Sequence, residues 1–178
     1  MEFVDIYQPV IQRFIQRHGL QHADAAEVTQ EVLSRVAKSI TTWDGGQQPS
    51  TFRGWLYRIT RNLTIDFLRK RKIELARTVG QPAGLGQIAE LESVESVEFR
   101  AEYERQLFHW AAEKLKPAFK LQNWQAFWMS TVEGMPIEEV ARRLELECGA
   151  VYVARSRIMA RMAKLVQERK NETSSEMD

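Results

Sequence analysis

Apolar residues recur along this chain three and four positions apart, the period of helices buried along one stripe. Phe3, Ile6, Tyr7, Val10, Ile11 and Phe14 predict a helix over 2–18, with Gly19 taking the left-handed position that ends it. Val28, Val32 and Val36 predict a second helix over 24–39, and Asp24 ahead of Ala25-Ala26-Glu27 gives it a capping-box start. A third spans 51–72. At about 100° per residue, Phe52, Leu56, Ile59, Leu63 and Phe67 share one face of it, while Arg58, Arg61, Asn62, Arg69 and Lys72 gather on another. Trp55 falls at the seam and is open to either the core or a ligand. Stripes over 95–115 (Phe99, Tyr103, Leu107, Trp110, Ala111) and 122–132 (Trp124, Phe127, Trp128) read as core. No strand-like alternation of useful length and no internal repeat appears, so the predicted fold is all-α.

The breaks in this pattern set the expected organisation. Thr41 to Ser50 holds two glycines and a proline and predicts a loop ahead of the basic helix. Gly80, Pro82, Gly84 and Gly86 mark a flexible linker. Two small helical domains are therefore expected, over 1–74 and 95–170, joined by a linker over 75–94 and followed by a polar, disordered tail over 171–178.

The second domain carries a further pattern. Pro136 to Leu144 predicts a short helix, Glu145 to Cys148 a tight connection, and Gly149-Ala150-Val151 the start of a longer helix to about Gln167. Val140, Ala141, Leu144, Leu146, Val151 and Ala154 have the spacing of a helix-turn-helix, with the small Ala141 where the two helices cross. Its second helix would turn Ala150, Tyr152, Val153, Ser156 and Arg157 toward base edges, and Arg161 and Lys164 toward phosphates. Glu145 stands where such turns usually have glycine.

Charge refines the picture. The formal net charge of the 178 residues is only +1, but basic residues concentrate in 53–72 and 155–170. Acidic ones concentrate in 90–104, where Glu90, Glu92, Glu95, Glu98, Glu102 and Glu104 face only Arg100. That stretch is expected to pack against the basic helix and hold the two domains closed in the free protein. So small a net charge predicts weak binding to random duplex, hence a DNA reader that works with a partner. No apolar run approaches the roughly 18 residues of a membrane span, and Met1 to Asp5 lacks the basic-then-apolar order of a secretory signal. The single cysteine, Cys148, excludes an internal disulfide and fits a reducing cytoplasm. His18, His22 and His109 are scattered, and no metal-ligand spacing, phosphate loop or base for Cys148 is evident. An enzyme, a cofactor and a metal are not expected.

Two motifs in order, separated by a linker, resemble the extracytoplasmic-function (ECF) group of bacterial sigma-70 factors, which retain only regions 2 and 4. Asp24 to Val32 resembles region 2.2. Phe52-Arg53-Gly54-Trp55-Leu56-Tyr57-Arg58-Ile59-Thr60-Arg61-Asn62, with Asp66 and Leu68 to Arg71, resembles regions 2.3 and 2.4. Glu133 to Ala141 and Gly149 to Val151 resemble region 4.

The resemblance implies that Asp24, Glu27, Gln30 and Glu31 dock on the coiled coil of the β′ subunit of core RNA polymerase. It implies that Arg58, Arg61, Asn62 and Arg69, with Trp55 undecided, engage the −10 promoter element. Gln47, Gln48 and Ser50 would hold a base flipped from the non-template strand, at a cost that stacking and edge contacts offset. Ala150, Tyr152, Val153, Ser156 and Arg157 would read the −35 element, and the helix at about 122–134 would contact the polymerase β flap. Tyr152 stands where many relatives have lysine or arginine, which removes a phosphate or guanine contact, offers a phenol and a ring instead, and leaves the −35 sequence open. An anti-sigma factor is a further implied partner. A stand-alone helix-turn-helix regulator is the rival reading, but it has no need of the first half's loop and docking surface.

Overall fold

The computed structural model describes residues 2–40, 51–79 and 97–175. Its described residues form seven α-helices and one 3-10 turn, with no strand among them, and fall into two compact units, Met1–Gln106 and Leu107–Glu176.

In the first unit, α1 (Glu2–Arg17) buries Ile6, Tyr7, Val10, Ile11, Phe14 and Ile15, and Gly19 ends it at φ 87°. Helix α2 spans His22–Ser39, two residues ahead of the expected start. Gln21 takes the cap position without a side-chain cap bond. Asp24 is therefore not the cap but an acid in the first turn, where the helix dipole favours it, and its carboxylate accepts from Arg71 Nη1 at 2.5 Å.

Helix α3 (Phe52–Val79) enters the core with Phe52, Leu56 and Leu63, joined by Thr60 and Thr64, both 0% exposed. The two hydroxyls donate to the carbonyls of Leu56 and Thr60, at 2.9 and 2.8 Å. That local satisfaction lets a polar residue occupy an apolar stripe. Ile59 and Phe67, expected within the stripe, are half-buried at its margins. The helix also runs past Lys72 into the stretch expected to be linker, because Ile73 to Val79 contains no glycine or proline to stop it.

Helix α4 (Val97–Leu115) begins in the first unit, although its whole length was expected with the second. Phe99 and Tyr103, both 2% exposed, join the aromatic core of α1 and α3. The Tyr103 ring stacks on Tyr7 at 5.4 Å, and Phe99 lies 5.6 Å from both Phe14 and Tyr57.

In the second unit, Leu107, Trp110 and Ala111 of α4 are buried, a 3-10 turn covers Lys116–Ala118, and α5 (Leu121–Thr131) buries Trp124, Ala126, Phe127 and Ser130. Helices α6 (Ile137–Leu144) and α7 (Cys148–Ser175) follow. Helix α7 reaches five residues into the expected disordered tail. Ala126, Ile137, Val140, Ala141, Val151 and Ala154 form one cluster that fixes the crossing of α6 and α7. Glu145 ends α6 in the left-handed conformation (φ 52°, ψ 46°), and Leu146 N–H returns to the Ala141 carbonyl at 2.9 Å. Among the described residues no helix is long and apolar enough to cross a membrane.

Candidate nucleic-acid interface

Three surfaces carry the expected site residues. The first is the side of α3 turned away from its core stripe, where Arg58, Asn62 and Arg69 are exposed and Arg61 is half-buried. Trp55 is half-buried too, its ring tilted against Phe52 at 5.5 Å, so one side packs on the core edge. Ile65, one turn from Arg61 and Arg69, is only 5% exposed and packs with Leu68. The arginines therefore frame a buried apolar position, which no periodicity argument predicts. Beside them, burial raises the Tyr57 hydroxyl above its ordinary pKa of 10.0; the charge of Arg61 lowers it and that of Glu98 raises it.

The second surface is a groove of about 730 Å³ between α2 and α3. Glu27, Gln30 and Glu31 line one wall, Asp66, Phe67 and Lys70 the other, with Val28 and Leu63 among the residues between. Three of the four expected docking residues converge here. Asp24 does not line the groove and is held by Arg71 instead. Glu31 also pairs with Arg35 at 3.1 Å, both more than half exposed, a contact that solvent screens heavily.

The third surface lies on α7. Ala150, Tyr152, Val153, Ser156 and Arg157 are all exposed, Tyr152 at 56%, whereas Val151, Ala154 and Ile158 are buried. The 3.6-residue period thus separates the buried positions of α7 from the exposed ones. Missed by sequence reasoning, Phe119 and Asn123 line a recess of about 240 Å³ with Ala150, Val153, Ala154 and Arg157, and the Arg161 guanidinium lies 5.3 Å over the Phe119 ring. A pairing of α5 with α7 is not encoded in the period of either.

A fourth feature is an apolar groove of about 520 Å³ in the second unit, lined by Leu121, Trp124, Trp128 and Met129 among others. Trp128, expected in the core, is half-buried at this groove. Gln47, Gln48 and Ser50, expected to capture a base, lie outside the described residues. Thr51 is described, and its hydroxyl accepts from Gly54 N–H at 3.3 Å in the first turn of α3. Among the described residues no group of three or more His, Cys, Asp or Glu is placed to hold a metal ion.

Residues 3–73 match the family model for sigma-70 region 2, and residues 124–162 match that for sigma-70 region 4. The ECF RNA polymerase sigma factor SigE of Mycolicibacterium smegmatis is 34% identical over 141 residues, 79% of this chain and 49% of that protein. The chain belongs to the sigma-70 family, in its ECF group. A second ECF relative, the RNA polymerase sigma factor SigW of Bacillus subtilis, is 38% identical over 71 residues, 40% of this chain and 36% of the relative. The matches thus span half or less of these relatives' lengths. A solved structure of the sigma factor RpoE in complex with the anti-sigma factor NepR from Bartonella quintana aligns over 93% of this sigma factor and 95% of that chain, at 20% identity and a TM-score of 0.38. On the family frame, the α3 face and the α2–α3 groove fall in region 2, and the α6–α7 hairpin in region 4. Residues 74–123, which include all of α4, lie between the two matched segments.

Proposed function

We propose that this ECF sigma factor binds core RNA polymerase, reads the −10 and −35 promoter elements, opens the duplex at the −10 element and starts transcription of a specific set of genes in the cytoplasm. Glu27, Gln30 and Glu31 in the α2–α3 groove take the β′ coiled coil, with Asp24 and Arg71 bracing the groove's helices. The groove suits such a partner because its floor is apolar while its rim carries both signs of charge.

Arg58, Arg61 and Arg69 contact the −10 backbone and Asn62 a base edge, with Trp55 offering its exposed edge to an unstacked base. Gln47, Gln48 and Ser50 hold the flipped base. Ala150, Tyr152, Val153, Ser156 and Arg157 read the −35 element in the major groove. The groove between α4 and α5, with Trp128 and Leu121, takes the polymerase β flap, and an anti-sigma factor competes for these surfaces. The module boundaries for this activity are region 2 over 1–74 and region 4 over 95–170.

The observation that carries the reading is the separation of tasks on α3. One side is buried core, one side lines the α2–α3 groove, and a third holds the arginines, so a single helix can face polymerase and DNA at once. Charge reversal at Gln30 and Glu31 (Gln30→Lys with Glu31→Lys) tests it. Both side chains are exposed, so the fold should be kept, and co-purification with core polymerase should be lost. Normal co-purification of the folded variant would remove the docking assignment.

A further inference from the structure

A cluster of charges in the first unit lies outside the surfaces assigned to DNA and polymerase. Glu102, in the first half of α4, is 1% exposed. Each of its carboxylate oxygens already has a donor: Oε1 accepts from Arg13 Nη1 at 2.9 Å, and Oε2 accepts from Arg105 Nη1. A third guanidinium, that of Arg17, stands 3.3 Å from Oε2 as an ion pair rather than a hydrogen bond. Three guanidiniums against one carboxylate leave two positive charges over. All three arginine side chains are about half exposed. With Gln16 and Glu102 they line an open basin of about 440 Å³ between α1 and α4, in which Glu102 supplies the one carboxylate among the lining residues.

We propose that this basin binds the doubly charged phosphate group of a small diphosphate, free or carried by a nucleoside, through Arg13, Arg17 and Arg105, with Glu102 as the residue that positions them. Holding a buried carboxylate takes partners for its two oxygens, and Arg13 and Arg105 provide them; Arg17 is surplus to that task. Guanidiniums pinned on Glu102 lose little side-chain freedom when a ligand arrives, and their remaining donors match phosphate oxygens in pairs. A terminal phosphate carries about −1.5 to −2 charges at neutral pH, which fits the two charges left over, whereas a nucleic-acid backbone brings about one per phosphate. The basin also falls in the range of about 300–1,000 Å³ usual for small-molecule sites. Because Arg13 and Arg17 stand on α1 and Arg105 on α4, a bound phosphate would tie the first half of α4 to α1.

The test is isothermal titration calorimetry of the full chain with inorganic pyrophosphate and, in a second arm, guanosine diphosphate, in metal-free buffer at low salt. At least one of the two should bind at a single site with a dissociation constant below about 1 mM; pyrophosphate alone marks a free diphosphate, and tighter binding of the nucleotide marks a nucleoside-borne one. Arg17→Gln leaves both hydrogen bonds to Glu102 in place, so the helical circular dichroism should be kept, and affinity should fall about tenfold or more, the scale of one charge-assisted contact. Arg17→Lys, which keeps the ion pair but not the paired donors, should weaken binding about threefold and carries the test if the first variant unfolds. Arg100→Gln removes the same charge from α4 at the exposed pair with Glu104 and should change affinity less than about twofold. Ligand should also slow amide exchange over residues 97–105 in the unaltered chain and not in Arg17→Gln. No saturable binding of either diphosphate up to about 10 mM, or equal losses from Arg17→Gln and Arg100→Gln, overturn the site. Displacement of pyrophosphate by an oligothymidylate without terminal phosphates, at equal phosphate concentration, overturns it in favour of a backbone contact.

Discussion

Replacing Glu102 by Gln keeps the shape of the side chain and removes its charge from the centre of three guanidiniums. Breaking a buried ion pair costs about 3–5 kcal/mol when the partner is left buried and unpaired. Here the carboxylate is buried but Arg13, Arg17 and Arg105 are each about half exposed, at 48%, 49% and 47%. Water can therefore re-solvate the arginines, and the cost falls to the lower end, about 3 kcal/mol. Because the chain has two compact units, a single unfolding free energy is ill-defined, and the slowest-exchanging amides of α1 and α3 are the better gauge. A loss of about 3 kcal/mol speeds their exchange roughly 150-fold, at about 1.4 kcal/mol per factor of ten. Amides of α6 and α7 should not change. Glu104→Gln, at the exposed Arg100–Glu104 pair, should cost no more than about 0.5 kcal/mol. An Glu102→Gln effect below about 1 kcal/mol would show that the three contacts are surface pairs with little net worth.

Glu145→Gly should stabilise the helix-turn-helix by about 0.5–1 kcal/mol, because an L-residue at φ 52° is strained there by more than glycine's extra chain entropy costs; a thermal melt followed by tryptophan fluorescence reads it. Arg157→Ala should weaken duplex binding by region 4 and lower the slope of log affinity against log salt by about one if the guanidinium meets phosphate. Tyr57 is held protonated in the fold beyond its ordinary pKa of 10.0, so the folded state binds more protons than the unfolded chain above that value. The stability of the first unit should therefore fall as pH rises past 10.0, and Tyr57→Phe should remove that part of the fall in an alkaline denaturation series.

Much of this was legible in the sequence because helical period and burial are tied together. Val28, Val32, Val36, Leu56 and Leu63 went to the core, and Tyr152, Val153 and Arg157 to the surface, on spacing alone. The left-handed Glu145 was placed correctly at the turn where glycine is usual. Three kinds of feature were not legible. Thr60 and Thr64 read as polar, yet a hydroxyl that bonds its own preceding turn can be buried. The start of α2 at His22 went unseen because Asp24 satisfies a capping pattern without acting as the cap. The Glu102 cluster joins residues 85 and more positions apart in α1 and α4, and no periodicity within one helix reports a contact of that range. In the candidate site, Glu27, Gln30 and Glu31 share one groove without Asp24, whereas Ile65, Phe119 and Asn123 entered only through packing between elements.

Promoter-directed initiation by core polymerase is read out by run-off transcription with bacterial core enzyme on a random promoter library, with and without the protein. Transcripts from a defined subset of templates, sharing −10 and −35 elements and appearing only with the protein, are the predicted result. Absence of protein-dependent, sequence-selective transcripts across a salt series would contradict the account.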